Sequence, residues 1–385
     1  QAQSNPLFTE FTSTPHGTPP FDKISDAHYV PAIERGIALG RENVERIVNN
    51  PEAPTFDNTI AALENVNLDL DRALGVFYPL AESLSNDTIM EISTKISPMV
   101  SEYSTSINLN EGLWKRVQAV HDNTDTTALT GEQKMLLRET YQSFVRNGAL
   151  LQGANREKYA KLQSRLSELT TLFGQNVLRE LNTYKIWLTA DDLAGLTESS
   201  IEAAAQAARE EGRPGEYLFT LDAPVYMAFM KNSDRRDLRE KMYRLYSSRN
   251  TSGQYSNTEI LKEIAATRLA IAKLLGYKTY ADYALANKMA KNPANVYSLL
   301  HSLRDAYRPA QIAEIKEITD FASQLEGKPV ELKPWDYSYY SNKLRNARYS
   351  YDEEEMRPYF KLDNVIDGVF GLATKLYGVT FEKNT

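Results

Sequence analysis

The sequence contains no cysteine. Disulfides, thiolate metal sites and cysteine nucleophiles are therefore excluded, and an oxidising compartment is compatible with the chain but not required by it. No apolar run approaches the roughly 20 residues that span a bilayer. Histidine is scarce: His16, His28, His121 and His301, followed by Gly, Tyr, Asp and Ser. None opens H-E-x-x-H and none lies within a helical turn of another. The pair of imidazoles on one helix face that a helix-borne zinc site needs is thus absent, and each histidine reads as a surface or capping residue. No two of the 18 glycines are separated by a single residue, which rules out G-x-G-x-x-G. A Walker loop and a G-x-S-x-G elbow are missing too. Basic residues number 44 against 51 acids, a net charge of −7. That balance argues against a duplex nucleic-acid binder, which needs a basic face to displace counterions.

What is present is helix. The chain has 385 residues, 42% of them hydrophobic, enough for a sizeable core in two or three domains or one large one. Residues 1–24, rich in Pro, Thr and Ser, read as an extended arm, and the missing initial Met fits either a removed secretory leader or plain trimming. Ser25 and Asp26 can cap a helix carrying Ile33, Ile37, Val44 and Ile47 on one face. Ile60, Leu63, Leu70, Leu74 and Phe77 mark a second stripe, expected to end near Pro79. Helices are expected over about 87–107, 111–121 and 131–147, the last opened by a Thr130/Gln133 capping box, and Asn155–Leu181 is the longest. "YKIWLT" (184–189) and "EYLFTLDAPVY" (216–226, interrupted by Pro224) read as strands around an Ala-rich helix, Ser199 to Glu211. Helices resume over 233–249, 256–275, 279–290, 293–325 and 363–377. The apolar stripe from Val365 to Leu376 has to be buried against something. "VTF" (379–381) then starts a strand-like pattern close to the end of the sequence, which we read as a cut rather than a designed ending.

The stretch "LKPWDYSYYSNKLRNARYSYDEEEMRPYF" (332–360) carries one Trp, six Tyr and four consecutive acids. The acids, Asp352 to Glu355, could bind a cation but read rather as the solvated first turn of a helix, where the macrodipole favours negative charge. Together with "FDKISDAHYVPAIERGI", "NNPEAPTFDNTIAALE" and "LLGYKTYADYALANKMAKNP", it closely resembles the thimet-oligopeptidase-like zinc metallopeptidases. The wording is closest to the bacterial peptidyl-dipeptidases, and the resemblance runs from about Asn5 to Phe381. It implies a mainly α, elongated, neurolysin-like framework with a small β element, in which a channel between two lobes admits extended peptides. The expected regions are the arm 1–24, a helical region 25–183, a helix flanked by short strands 184–226, and a helical channel-wall region 227–385.

In the family pattern the zinc helix and its downstream Glu ligand come after "KLYGVTF". The resemblance therefore places no catalytic, cofactor-binding or metal-ligating residue in these 385, with zinc belonging to the intact enzyme and none expected here. It implies oligopeptide substrates shortened by C-terminal dipeptides, an inactive isolated chain, a monomer, and no nucleic-acid or membrane partner. A periplasmic or otherwise extracytoplasmic location is the expectation, with the cytoplasm as alternative. A non-catalytic helical scaffold on the same framework is the competing reading. The aromatics of 335–360 are expected to pack a strand-and-helix corner near the channel, beside a concave, partly apolar surface over 330–381. Tyr339, Tyr340, Arg345 and Arg348 are the candidate substrate contacts, because phenols and guanidiniums suit peptide carbonyls and carboxylates.

Overall fold

A computed structural model describes residues 4–383. Residues 1–3 of the expected arm and 384–385 of the expected last region lie outside it. In chain order the elements are α1 Tyr29–Val48, α2 Ala62–Glu64, α3 Leu68–Ser83, α4 Asp87–Asn108, α5 Glu111–Asn123, α6 Gly131–Arg146 and α7 Ala154–Leu181. Then come β1 Ile186–Leu188, α8 Glu198–Glu210, β2 Tyr217–Phe219, α9 Ala223–Asn232, α10 Arg236–Ser247, α11 Thr258–Leu274 and α12 Tyr280–Leu285. Four helices follow: α13 Pro293–Glu326, α14 Tyr337–Tyr349, α15 Glu353–Met356 and α16 Leu362–Tyr377. The fold is mainly α, with one two-stranded antiparallel sheet among the described residues. None of its described helices is long and apolar enough to cross a membrane.

Side-chain caps set many helix starts. Thr130 and Gln133 form the expected capping box, Thr130 Oγ1 accepting from the Gln133 amide and Gln133 Oε1 from the Thr130 amide. Asn86 and Asn110 each accept from the amide three residues on.

The chain divides into two compact units, each built from two stretches of sequence. The first runs to Leu178 and adds Asn250–Ser298; the second is Arg179–Arg249 and the chain from Leu299. These units do not follow the contiguous regions expected from sequence, because helical periodicity reports faces and not which distant stretch covers them.

In the first unit α1 packs on α3 at very short range. A Cβ on Gly36 would stand 2.6 Å from Leu70 Cα, and one on Gly40 would stand 2.0 Å from the Tyr103 hydroxyl. The absence of side chains at these two positions lets Ile33, Ile37, Phe77 and Ile96 close one apolar core. A second core gathers Ile60, Leu113, Trp114, Val117 and Phe144. Beside it Arg116 is buried, and it donates to the Asn50 and Glu52 carbonyls, Asn58 Oδ1 and Thr59 Oγ1. It thereby pins the 50–59 loop with neutral acceptors only. The later stretch is tied in by Asn257, which bonds Asn176 at 3.0 Å and the Phe173 carbonyl at 3.1 Å.

In the second unit β1 pairs with β2, Ile186 opposite Phe219 and Leu188 opposite Tyr217. Their buried residues join Leu221, Phe229 and Met242 in one core.

Several expectations fail here. Pro79 does not end its helix; it lies inside α3, as Pro98 lies inside α4. Pro224 interrupts no strand but sits in the first turn of α9, where its missing N–H would have no helical partner anyway. Residues 332–360 form no strand: Tyr337–Tyr349 is helix, followed by a short turn of helix that Asp352 caps. Residues 379–381 are not a strand, although Phe381 stacks on Phe370 at 4.1 Å. No residue of α16 is buried, despite its apolar stripe.

Candidate functional site

Helix α14 is anchored at its N-terminus by a buried charge in the second unit. Asp336 is fully buried and Arg239 is 1% exposed. Burying a lone carboxylate costs several kcal/mol, so a buried one is tolerated only when fully bonded. Here the Asp336 carboxylate accepts from the Lys333 amide at 2.9 Å, from Arg239 Nη2 at 3.0 Å, and from Arg236 through Nε at 3.0 Å and Nη2 at 2.6 Å. Arg239 completes its own set on the Ser233 and Trp335 carbonyls. Burial pushes the Asp336 carboxyl up, but bonds from Arg236, the Lys333 amide and Arg239 outweigh it and hold the group below its ordinary value.

This anchor decides where the four sequence candidates go. Tyr339 lies under the Arg239 guanidinium, 3.9 Å from ring centre, and its hydroxyl donates to Asp234 at 2.5 Å. Burial, then the Asp234 acceptor, push its phenol up. Tyr340 donates to Glu326 at 2.9 Å, and its phenol is pushed up to about 12 by burial and that bond. Both rings are buried and meet edge to face at 5.0 Å. Arg348 is half exposed and ion-paired with Glu317 of α13. Arg345 differs: it reaches Asn342 at 3.0 Å and Glu353 at 2.9 Å, and its Nε is buried with no hydrogen-bond acceptor. The structure therefore brings the two tyrosines together in the interior, sends Arg348 to α13, and puts Arg345 on the wall of one cavity and Tyr339 on that of a smaller one.

The larger cavity is a cleft of about 1020 Å³, lined entirely by the second unit. One wall is the face of α8 bearing Ser199, Ser200, Ala203, Ala204 and Ala207. The Ala-rich sequence of α8 is the reason for the space: side chains this small leave the groove open. The facing walls come from α9, with Val225 and Met230, and α14, with Ser341 and Asn342. Lys231, Arg345 and Glu353 also line the cleft, and Glu353 receives both cations on its two oxygens, Lys231 on Oε2 and Arg345 on Oε1. Their hydrogen bonds, Lys231 first, hold the Glu353 carboxyl below its ordinary value. Sequence reasoning noticed Glu353 only as part of the acidic run 352–355 and did not single out Lys231, 122 positions away.

Metal ligation finds no support in these side chains. Among the described residues no three His, Asp or Glu side chains are placed to hold an ion. His28 accepts from the Ser25 amide as a cap, and His121 stacks on Tyr141 at 3.8 Å.

Comparison with known proteins adds what this geometry leaves open. Residues 229–385 match Peptidase family M3. Oligopeptidase A of Escherichia coli (strain K12) is 35% identical over 98% of this chain and 55% of that protein. The chain is thus similar to peptidase family M3 over residues 229–385 and to an oligopeptidase over nearly its whole length. Oligopeptidase A of Haemophilus influenzae is 33% identical over 98% of the chain and 55% of that protein. The dipeptidyl carboxypeptidase of Salmonella typhimurium is 31% identical over 98% of the chain and 56% of that protein. This chain thus spans about half the length of the curated relatives it matches.

Proposed function

We propose that these residues are the N-terminal part of a zinc-dependent M3 peptidase that shortens oligopeptides from their C-termini by dipeptides. The observation that carries the reading is the match over 98% of the chain to proteins named oligopeptidase A and dipeptidyl carboxypeptidase. Zinc does not fit the donors present, since no set of three side chains converges among the described residues. No step of the hydrolysis is accordingly assigned to this chain. Its contribution is a helical framework, a peptide-sized cleft, and apolar faces free to receive further polypeptide. Tyr359, Phe360, Leu362, Val369, Leu376 and Tyr377, together with the rest of α16, form such a face. An apolar surface of this extent marks an interaction site in a stable protein.

The test is made on the native protein purified from its source cells. We expect a mass well above 43.6 kDa, bound zinc, and dipeptide release from unstructured peptides that a chelator abolishes. The isolated 385-residue chain is expected to release none. Zinc-dependent dipeptide release by that chain alone, or a native protein of its mass without zinc, would overturn the reading.

A further inference from the structure

Glu353 is held as a bound anion would be. Two cations from separate helices, Lys231 of α9 and Arg345 of α14, converge on the two oxygens of its carboxylate. All three line the 1020 Å³ cleft, whose walls combine an apolar part (Leu218, Phe219, Val225, Met230) with further charged groups, Asp222, Asp352, Glu354 and Arg357. Arg345 keeps a buried Nε donor with no acceptor, so its bonding capacity is not exhausted by Glu353 and Asn342. The Glu353 side chain is half exposed. Ion pairs at that exposure stabilise by roughly 1 kcal/mol or less each. A ligand that offers its own carboxylate and buries an apolar side chain in the cleft can therefore displace it. Glu353 is carried on a four-residue turn, α15, joined to α14 through Ser350 in the left-handed region (φ 49°). A short turn on such a joint can swing away without unravelling a long helix.

We infer that Lys231 and Arg345 form a binding site for the C-terminal carboxylate of a peptide whose last side chain is apolar, and that Glu353 occupies this site as an internal stand-in when no peptide is bound. A terminal carboxylate is the committed ligand because the oligopeptide reading concerns peptide C-termini; an acidic side chain is the alternative that the third probe below excludes or upholds. The inference rests on the oligopeptide reading above and adds to it the group that is recognised and the residues that recognise it.

The test measures dansyl-Ala-Gly-Ala-Phe binding to the 385-residue chain by fluorescence anisotropy, as free acid and as C-terminal amide, with dansyl-Ala-Gly-Glu-Phe amide as a third probe. The free acid should bind at least about tenfold more tightly than either amide. Lys231→Gln and Arg345→Gln should each weaken the acid about fivefold and leave the amides unchanged. Glu353→Gln should tighten the acid about three- to fivefold, the worth of one partly exposed ion pair. Opposite signs from neighbouring substitutions exclude general loss of structure, which circular dichroism melting checks independently. Equal binding of acid and amide, no binding of any probe, a Glu-containing amide as tight as the acid, or an unchanged or weakened Glu353→Gln overturns the inference. Hydrolysis by the native protein is scored separately: its absence sinks the peptidase reading, whereas the acid preference of the chain stands or falls by the anisotropy alone.

Discussion

Helices α1 and α16 carry the same kind of sequence, with apolar residues recurring at three- and four-residue spacing. On α1 that face is closed: Ile33, Ile37, Val44 and Ile47 are all buried. On α16 none is, and Val369 and Leu372 remain 58% and 57% exposed. Periodicity therefore reveals that a face requires cover, and the rest of the chain decides whether the cover is supplied. The units that hold these helices differ in the same sense. The first unit is fixed by apolar faces meeting at glycine-narrow separation, and its buried Arg116 needs only neutral acceptors. The second is fixed by an ionic keystone, Arg236–Asp336–Arg239, and keeps apolar surface open.

The sharpest way to break this contrast is to remove the keystone. Asp336→Ala leaves Arg239 buried without its carboxylate and should destabilise the second unit by about 3–5 kcal/mol in urea titrations. The same contact predicts a pH dependence. Because the folded Asp336 carboxyl is held below its unfolded value, its stabilisation is complete above the ordinary Asp value and is lost as pH falls through the depressed one. Tyr339 and Tyr340 act at the other end: their phenols are raised, so their contribution is complete below about 10 and fades as pH rises, to about 12 for Tyr340. Asp336→Asn should flatten the acid limb and leave the alkaline limb in place; an unaltered acid limb would refute the assignment.

A smaller effect separates the two helices directly. Gly36→Leu drives a side chain into the Leu70 backbone and should cost about 3 kcal/mol. Gly371→Leu on α16 meets nothing within 4 Å and should be neutral or slightly stabilising through helix propensity. Comparable losses from both would mean that α16 is packed. The smallest effect in stability is Val369→Lys, within about 0.5 kcal/mol of the parent. Its value lies in sedimentation velocity, where it should reduce any self-association of the isolated chain, and an unchanged association profile would show that this face is not sticky.

How much of this was legible in the sequence follows from what kind of signal each feature leaves. The capping box at Thr130 and Gln133 is local, and the structure reproduces it. Helix faces with three- to four-residue periods are legible in α1 and α3, where the structure buries Ile33, Ile37, Val44, Ile47, Leu70 and Phe77. Proline misled in both directions: inside α3 Pro79 was tolerated within a packed framework, and at Pro224 it opened a helix. The aromatics of 335–360 were expected at a strand-and-helix corner; no strand forms there, and the Asp336 anchor and the burial of Tyr339 and Tyr340 go with helix over 337–349. Of the cleft, the sequence shows Arg345, for its chemistry, and the acidic run 352–355, as a helix start. Asp336 and Arg239 are 97 positions apart, and Lys231 and Glu353 are 122 apart. No local pattern encodes such pairings.

The buried bond between Asn176 and Asn257 also sets a timetable. Its two ends are separated by 81 residues. At roughly 5–20 residues per second, a ribosome delivers the second asparagine about 4–16 s after the first. During that interval the end of α7 has its amide groomed for a partner that has not yet been synthesised, while the strands and helices of the other unit emerge in between. A nascent chain paused between these positions offers chaperones and proteases a defined window that the finished protein no longer has.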